Sequence, residues 1–239
     1  MSTKALRIGG YVAGGVLAAF GIAAIVLGAW GGHTVNKNLK NEFITGTPDM
    51  SPSGIAPEVD AIKAAQQKIA AAQKEAKIPP SQQTTFTPVA APSCSVAGKQ
   101  VNSGPRAACF ANYMRIHALG ATNGLTYAQM GRYAAKPDAP VQFTDFNGGT
   151  NDPKYAQTDA ATGQPVSNGA RDIWVSETGL SGALYLAFAA SGISLFAIVV
   201  GIALVLSGIG FFVLALAVFG KNWLAAEHEA APVPTPGAA

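Results

Sequence analysis

Uncharged apolar residues fill two stretches of the chain, 8–30 and 180–220, and polar, loop-forming residues occupy the length between them. Each stretch exceeds the roughly 20 apolar residues with which an α-helix crosses the ~30 Å hydrocarbon core of a bilayer. Lys4 and Arg7 precede the first stretch in the manner of a secretory signal. The apolar run is longer than an h-region of about 7 to 15 residues and no A-x-A site follows Trp30, so it reads as a retained anchor.

The spacing of small residues adds a packing surface. Gly14, Gly21 and Gly28 recur at a seven-residue period in the first stretch, and Ala187, Ser194, Gly201, Gly208 and Ala215 keep the same period in the second. In lipid no hydrophobic force drives helices together, and small residues let backbones approach closely instead. The seams extend into larger residues, Val35 and Leu39 after the first and Leu180 and Ile173 before the second. Bulky apolar side chains regain their advantage once water is present. A helix over 180–220 would be about 60 Å long at 1.5 Å per residue, twice the hydrocarbon thickness. One long helix starting near Asp172, its upper third above the bilayer, accounts for this better than two short spans broken near Ser191 and Gly192. Its partner there is the end of the first helix or another subunit.

Between the spans, Gly46-Thr-Pro-Asp-Met-Ser-Pro52 ends the first helix. Residues 57–77 read as a peripheral helix with a thin apolar face of Val59, Ile62 and Ile69, with Pro57 at its first position and Glu58 and Asp60 favouring its N-terminal dipole. Residues 106–119 predict a helix carrying Phe110, Tyr113, Met114 and His117 on one side and stopped by Gly120. Thr126 with Gln129 forms a capping box opening a second helix, and Leu125 and Met130 are placed as its hydrophobic staple. Beyond Ala135 the chain is a Pro-, Asp-, Asn- and Gly-rich excursion.

Composition narrows the function classes. The 239 residues carry a net charge of +3 with basic residues spread out, which is no nucleic-acid footprint. The only two cysteines, Cys94 and Cys109, lie in the insert, and an even pair beside a membrane anchor reads as a disulfide in an oxidising compartment rather than as two separate thiols. Lys4, Arg7 and Lys221 favour cytoplasmic termini; Lys37 and Lys40 oppose this but count for less, because long loops translocate largely regardless of charge. Trp30 and Trp223 sit where interfacial aromatics belong.

Catalytic chemistry is hard to find. His33, His117 and His228 fall at the membrane edge, in the outer helix and in the tail, and no local spacing builds an iron facial triad or a zinc motif. Asp145, Asn147, Asn151 and Asp152 resemble a calcium loop, but the bidentate glutamate of position 12 is replaced by Ala156. Neither span holds a charge that would mark a proton relay.

The segments ITGTPDMSP at 44–52, CSVAGK at 94–99, YMRIHALGATNGLTYA at 113–128 and IVVGIALVLSGIGF at 198–211 together resemble an uncharacterised actinobacterial family of two-span membrane proteins. Its members often carry the label "aromatic ring-opening dioxygenase". That label implies a small soluble subunit whose partner holds the iron, and two spans, a cysteine pair and no facial triad contradict it. The label reads as a misannotation.

The expected fold is mainly α: a two-span membrane helical hairpin extended above the bilayer, with a loop-rich, disulfide-linked helical extracytoplasmic insert. Its parts are a cytoplasmic N-terminus (1–7), a first span and stalk (8–43), the extracytoplasmic domain (44–171), a long helix with the second span (172–221) and a disordered cytoplasmic tail (222–239). The expected function is a non-catalytic structural or interaction role in the cell membrane, as an oligomer or an accessory subunit of an envelope complex. Both termini are cytoplasmic, and no cofactor, metal or nucleic acid takes part. The partners are the bilayer and, through the seams, itself or another membrane protein. The alternatives are a small-ligand sensor built on Tyr113, His117 and Tyr127, or a small oligomeric channel.

Overall fold

The computed structural model describes the backbone of residues 3–229 and the side chains of residues 5–217. Lys4, Lys221, Trp223 and His228 therefore lie outside the described side chains. Four α-helices carry the chain: α1 (Thr3–Asn41), α2 (Ala56–Glu75), α3 (Gly104–Ala121) and α4 (Gly169–Glu229). A two-residue antiparallel ladder joins β1 (Tyr133–Ala134) to β2 (Gly149–Thr150). The fold is mainly helical, and α1 and α4 are long and apolar enough to cross a membrane.

Two compact units result, one from residues up to Thr34 with those from Ala190 onward, the other from Val35–Ala189. In the first unit the small residues of the two helices meet. A Cβ on Gly14 would fall 2.8 Å from the Gly208 carbonyl oxygen, one on Gly21 2.6 Å from that of Gly201, and one on Gly28 2.6 Å from that of Ser194. The reciprocal positions are as tight: Gly201 against Gly21, Gly208 against Gly14. Rising numbers on α1 match falling numbers on α4, so the backbones pass in opposite directions at van der Waals range. Small-residue seams allow this approach and larger side chains forbid it. The outward faces carry Phe20, Leu27, Trp30, Ile193, Phe196 and Leu206, each more than 60 % exposed. Only 17 % and 11 % of the most apolar windows of the two helices are buried, whereas a core helix of a soluble domain is mostly buried.

The second unit has its own core, centred on Ile55, Ile62, Val96, Val101, Tyr113 and Leu125, all nearly or fully inaccessible. Cys94 and Cys109 are joined, with a Cα separation of 6.1 Å, and tie the start of α3 to the preceding loop. Helix α2 departs from the peripheral role expected of it. Its face of Val59, Ile62, Gln66, Ile69 and Gln73 is buried, and it packs on α3. Two glutamines complete that thin apolar face because each finds partners: Gln66 donates to the Gly124 carbonyl, and Gln73 pairs with the backbone N–H and hydroxyl of Thr84.

Helix α3 runs through Gly120 to Ala121 with Thr122 as its cap, after which Asn123 and Gly124 take left-handed φ values of 53° and 81°. Gly120 is thus inside the helix rather than its stop. The capping box forms, Gln129 Oε1 accepting from the Thr126 N–H at 2.6 Å, and Leu125 and Met130 are both buried. It opens only a single 3₁₀ turn, Tyr127–Gln129, because Gly131 and the β1 pairing follow at once.

Helix α4 begins at Gly169, capped by Asn168, whose Oδ1 accepts from the Ala170 N–H. It continues to Glu229, so residues 222–229 of the tail expected to be disordered are helical; Leu224, Ala225, Ala226 and Glu227 are good helix formers. The remainder of that tail lies outside the described residues. The buried face of its early part also differs from the expected seam. Ile173 and Leu180 are 40 % and 37 % exposed, while Trp174, Glu177, Ser181 and Leu184 are buried. The buried residues keep the seven-residue step, Trp174 to Ser181 and Glu177 to Leu184, but on a neighbouring face, because the partners of this part of α4 are domain residues such as Thr122 and Leu125.

Trp174 fixes this part of α4 to the domain. Its indole N–H donates to the Leu125 carbonyl at 2.7 Å and lies 3.3 Å from the buried Thr122 hydroxyl, and the Arg115 guanidinium stands over the ring. We predict that Trp174→Phe lowers the domain's stability by about 1–3 kcal/mol, the sum of a lost buried hydrogen bond and a small cavity. Chemical denaturation in detergent, followed by far-ultraviolet circular dichroism, checks it; an unchanged midpoint would show that the indole N–H is dispensable.

Candidate functional site

His117 stands near the end of α3 with both ring nitrogens opposite carboxylates. Nδ1 is 2.9 Å from Glu58 Oε2, and Nε2 is 3.2 Å from Asp49 Oδ2. The three side chains come from three separate segments: the turn after α1, the first turn of α2, and α3. Each is about one-third exposed. One donor atom from each lies within 4.8 Å of the other two.

Local sequence explains each placement. Pro48 and the bonds from the Met50 N–H to the Thr47 carbonyl and from the Ser51 N–H to the Asp49 carbonyl fold 47–51 into a tight turn that lifts Asp49 outward. Pro57 starts α2 and leaves Glu58 in its first turn, where a carboxylate is favoured by the exposed N–H groups. Gly120 gives Glu58 room. A Cβ there would overlap the Glu58 carboxylate, so the bare helix surface one turn past His117 is where the carboxylate lies.

Charge follows geometry. The Asp49 carboxyl is held below its ordinary value chiefly by the Thr47 side chain, with its own backbone N–H and His117 adding to this and partial burial opposing it. A depressed carboxyl pKa contributes stability above the unfolded value of about 3.9, and the contribution is lost as pH falls through the folded value. Asp49 is thus ionised throughout the neutral range.

Gly120→Ala tests the packing behind Glu58. Alanine in a helix is worth up to about 1 kcal/mol over glycine, but here the new methyl displaces the Glu58 carboxylate. We expect Gly120→Ala to give no stabilisation in the native background and about 0.5–1 kcal/mol in a Glu58→Ala background. Equal effects in both backgrounds, measured by thermal unfolding, would contradict the contact.

The three residues expected to hold a ligand enter different environments. Tyr113 is fully buried, its hydroxyl donating to the Cys94 carbonyl at 2.6 Å, and burial raises its pKa. Tyr127 is 47 % exposed, with the Arg171 guanidinium 3.9 Å from its ring centre. His117 borders an open cleft of about 480 Å³, lined also by Met114, Ile173, Ser176 and Glu177. The calcium-like carboxylates serve the backbone: Asp145 accepts from the N–H groups of Gly131, Asn147 and Gly149, and Asp152 from that of Lys154.

Asp49 and Glu58 are the residues that sequence reasoning missed. No spacing signal marks them, because the cluster is assembled by the burial of α2 against α3. No family model, curated protein or solved structure matches this chain.

Proposed function

We propose that this chain is an integral protein of the cell membrane with a non-catalytic structural or interaction role. In this reading α1 and α4 form a two-span hairpin with both termini cytoplasmic, and the disulfide-linked helical domain stands on the extracytoplasmic side. The observation that carries it is the reciprocal backbone approach at Gly14 and Gly208, Gly21 and Gly201, and Gly28 and Ser194, with large apolar side chains turned outward. A helix pair that satisfies its own small-residue seam is a finished anchor. Self-association through the same residues would require the helices to exchange partners, so a partner meets the outer apolar faces or the domain. The disulfide supports the side on which the domain is placed, since such bonds persist in oxidising compartments.

Labelling decides topology. After mild reduction of intact cells, a membrane-impermeant thiol reagent is expected to modify Cys94, the more accessible of the pair, and alkaline carbonate to leave the protein in the membrane pellet. Labelling only after lysis, or release by carbonate, would sink the reading.

A further inference from the structure

We propose that Asp49 and His117, with Glu58 holding the far ring nitrogen of His117, bind one divalent transition-metal ion of the zinc class. This rests on the cluster alone and not on the membrane topology.

The contacts of His117 are the starting point. A neutral imidazole carries one N–H, so it can donate to only one of the two carboxylates facing it. At the other nitrogen a lone pair would confront a carboxylate oxygen, a repulsive contact unless a cation sits between them. A second proton is one such cation and a metal ion is the other. Donation from Nδ1 to Glu58 at 2.9 Å leaves the Nε2 lone pair aimed towards Asp49. A carboxylate accepting from one ring nitrogen while the other binds metal is the common support of histidine ligands, where it sets the tautomer and raises basicity.

Distance and chemistry agree. Two ligands at 2.0–2.1 Å from a tetrahedral ion lie about 3.3 Å apart, and Nε2 and Asp49 Oδ2 are 3.2 Å apart. Glu58 keeps the Nδ1–H and supports the ion from outside its shell, its donor atom lying within 4.8 Å of the other two. An imidazole and a carboxylate completed by water suit zinc, manganese or ferrous iron, while hard calcium prefers an all-oxygen shell. The partial exposure of all three side chains admits the ion and leaves places for water in its shell. Both cysteines are joined to each other and do not compete for it. Bound metal would clamp the turn after α1 onto α3.

The test uses the full chain in detergent micelles, without a histidine tag, stripped by chelator and titrated with Zn²⁺ by calorimetry. One ion per chain is expected, with affinity lowered at least about tenfold by Asp49→Asn, His117→Gln or Glu58→Gln and unchanged by His33→Gln. Thermal unfolding of each metal-free variant establishes that it is folded. In the wild-type chain, which needs no variant to fold, Zn²⁺ should move the ring-nitrogen resonances of one histidine of the three. Absence of saturable binding, saturation that survives His117→Gln, or no histidine shift would overturn the proposal.

Discussion

Gly201→Leu is expected to pry the two apolar helices apart, whereas Gly210→Leu, nine residues along the same helix, leaves them together. The contrast follows from what each side chain would meet. At Gly201 a Cβ alone falls 2.6 Å from the Gly21 carbonyl oxygen and 2.9 Å from the Ile25 backbone nitrogen, and neither backbone atom can move without its helix. At Gly210 nothing lies within 4 Å. Overpacking at a close contact costs about 1–3 kcal/mol and sometimes more, and separating the helices also forfeits the dispersion contacts that hold them where lipid offers no hydrophobic drive. At the open position leucine instead gains up to about 1 kcal/mol of helix propensity. Unfolding in mixed micelles should therefore show Gly201→Leu clearly destabilised and Gly210→Leu equal to or above wild type. Similar behaviour of the two variants would mean that the glycines reflect composition and not packing.

Loss of the disulfide is the second large effect. Cys94 and Cys109 are 15 residues apart, and closing a loop of this size contributes about 3 kcal/mol through the unfolded chain. The domain has further reason to depend on it. The Cys94 carbonyl accepts the hydroxyl of the fully buried Tyr113, so the loop that the bond holds also satisfies a polar group in the core. Freed from its tether, that loop exposes the Tyr113 hydroxyl to the cost of an unpaired buried donor, about 1–3 kcal/mol. The double variant Cys94→Ser, Cys109→Ser should unfold several degrees below the oxidised protein, and reductant should lower the wild type to the same level while leaving the variant unmoved. A wild type indifferent to reductant would remove the disulfide from the stability of the domain.

The reading of α4 shows where pattern stops being enough. The seam residues Ser194, Gly201 and Gly208 meet their counterparts because every contact there is set by small size at a fixed period, a property visible in one dimension. Above Ala187 the same extrapolation selects Ile173 and Leu180, and the buried residues are Trp174, Glu177, Ser181 and Leu184. Two of those four are polar. Glu177 accepts from the Ser181 hydroxyl at 2.7 Å and borders the open cleft beside His117, an arrangement that no hydropathy pattern announces. Helix α2 carries the same lesson, since Gln66 and Gln73 look like solvated positions until Gly124 and Thr84 arrive as partners.

By itself the sequence determined the two long apolar helices, their small-residue seams, the breaks at the proline-rich turns and, with only two cysteines, the identity of the disulfide pair. Those are properties of neighbouring residues and of composition, and local sterics and burial suffice to produce them. Only the tertiary structure decided which face of α4 turns inward, that α2 belongs to the core, and that His117 lies between Asp49 and Glu58. Each of these depends on groups brought together from distant parts of the chain, where the partner's chemistry, and not the residue's own, determines whether a polar side chain is tolerated, paired or poised to bind.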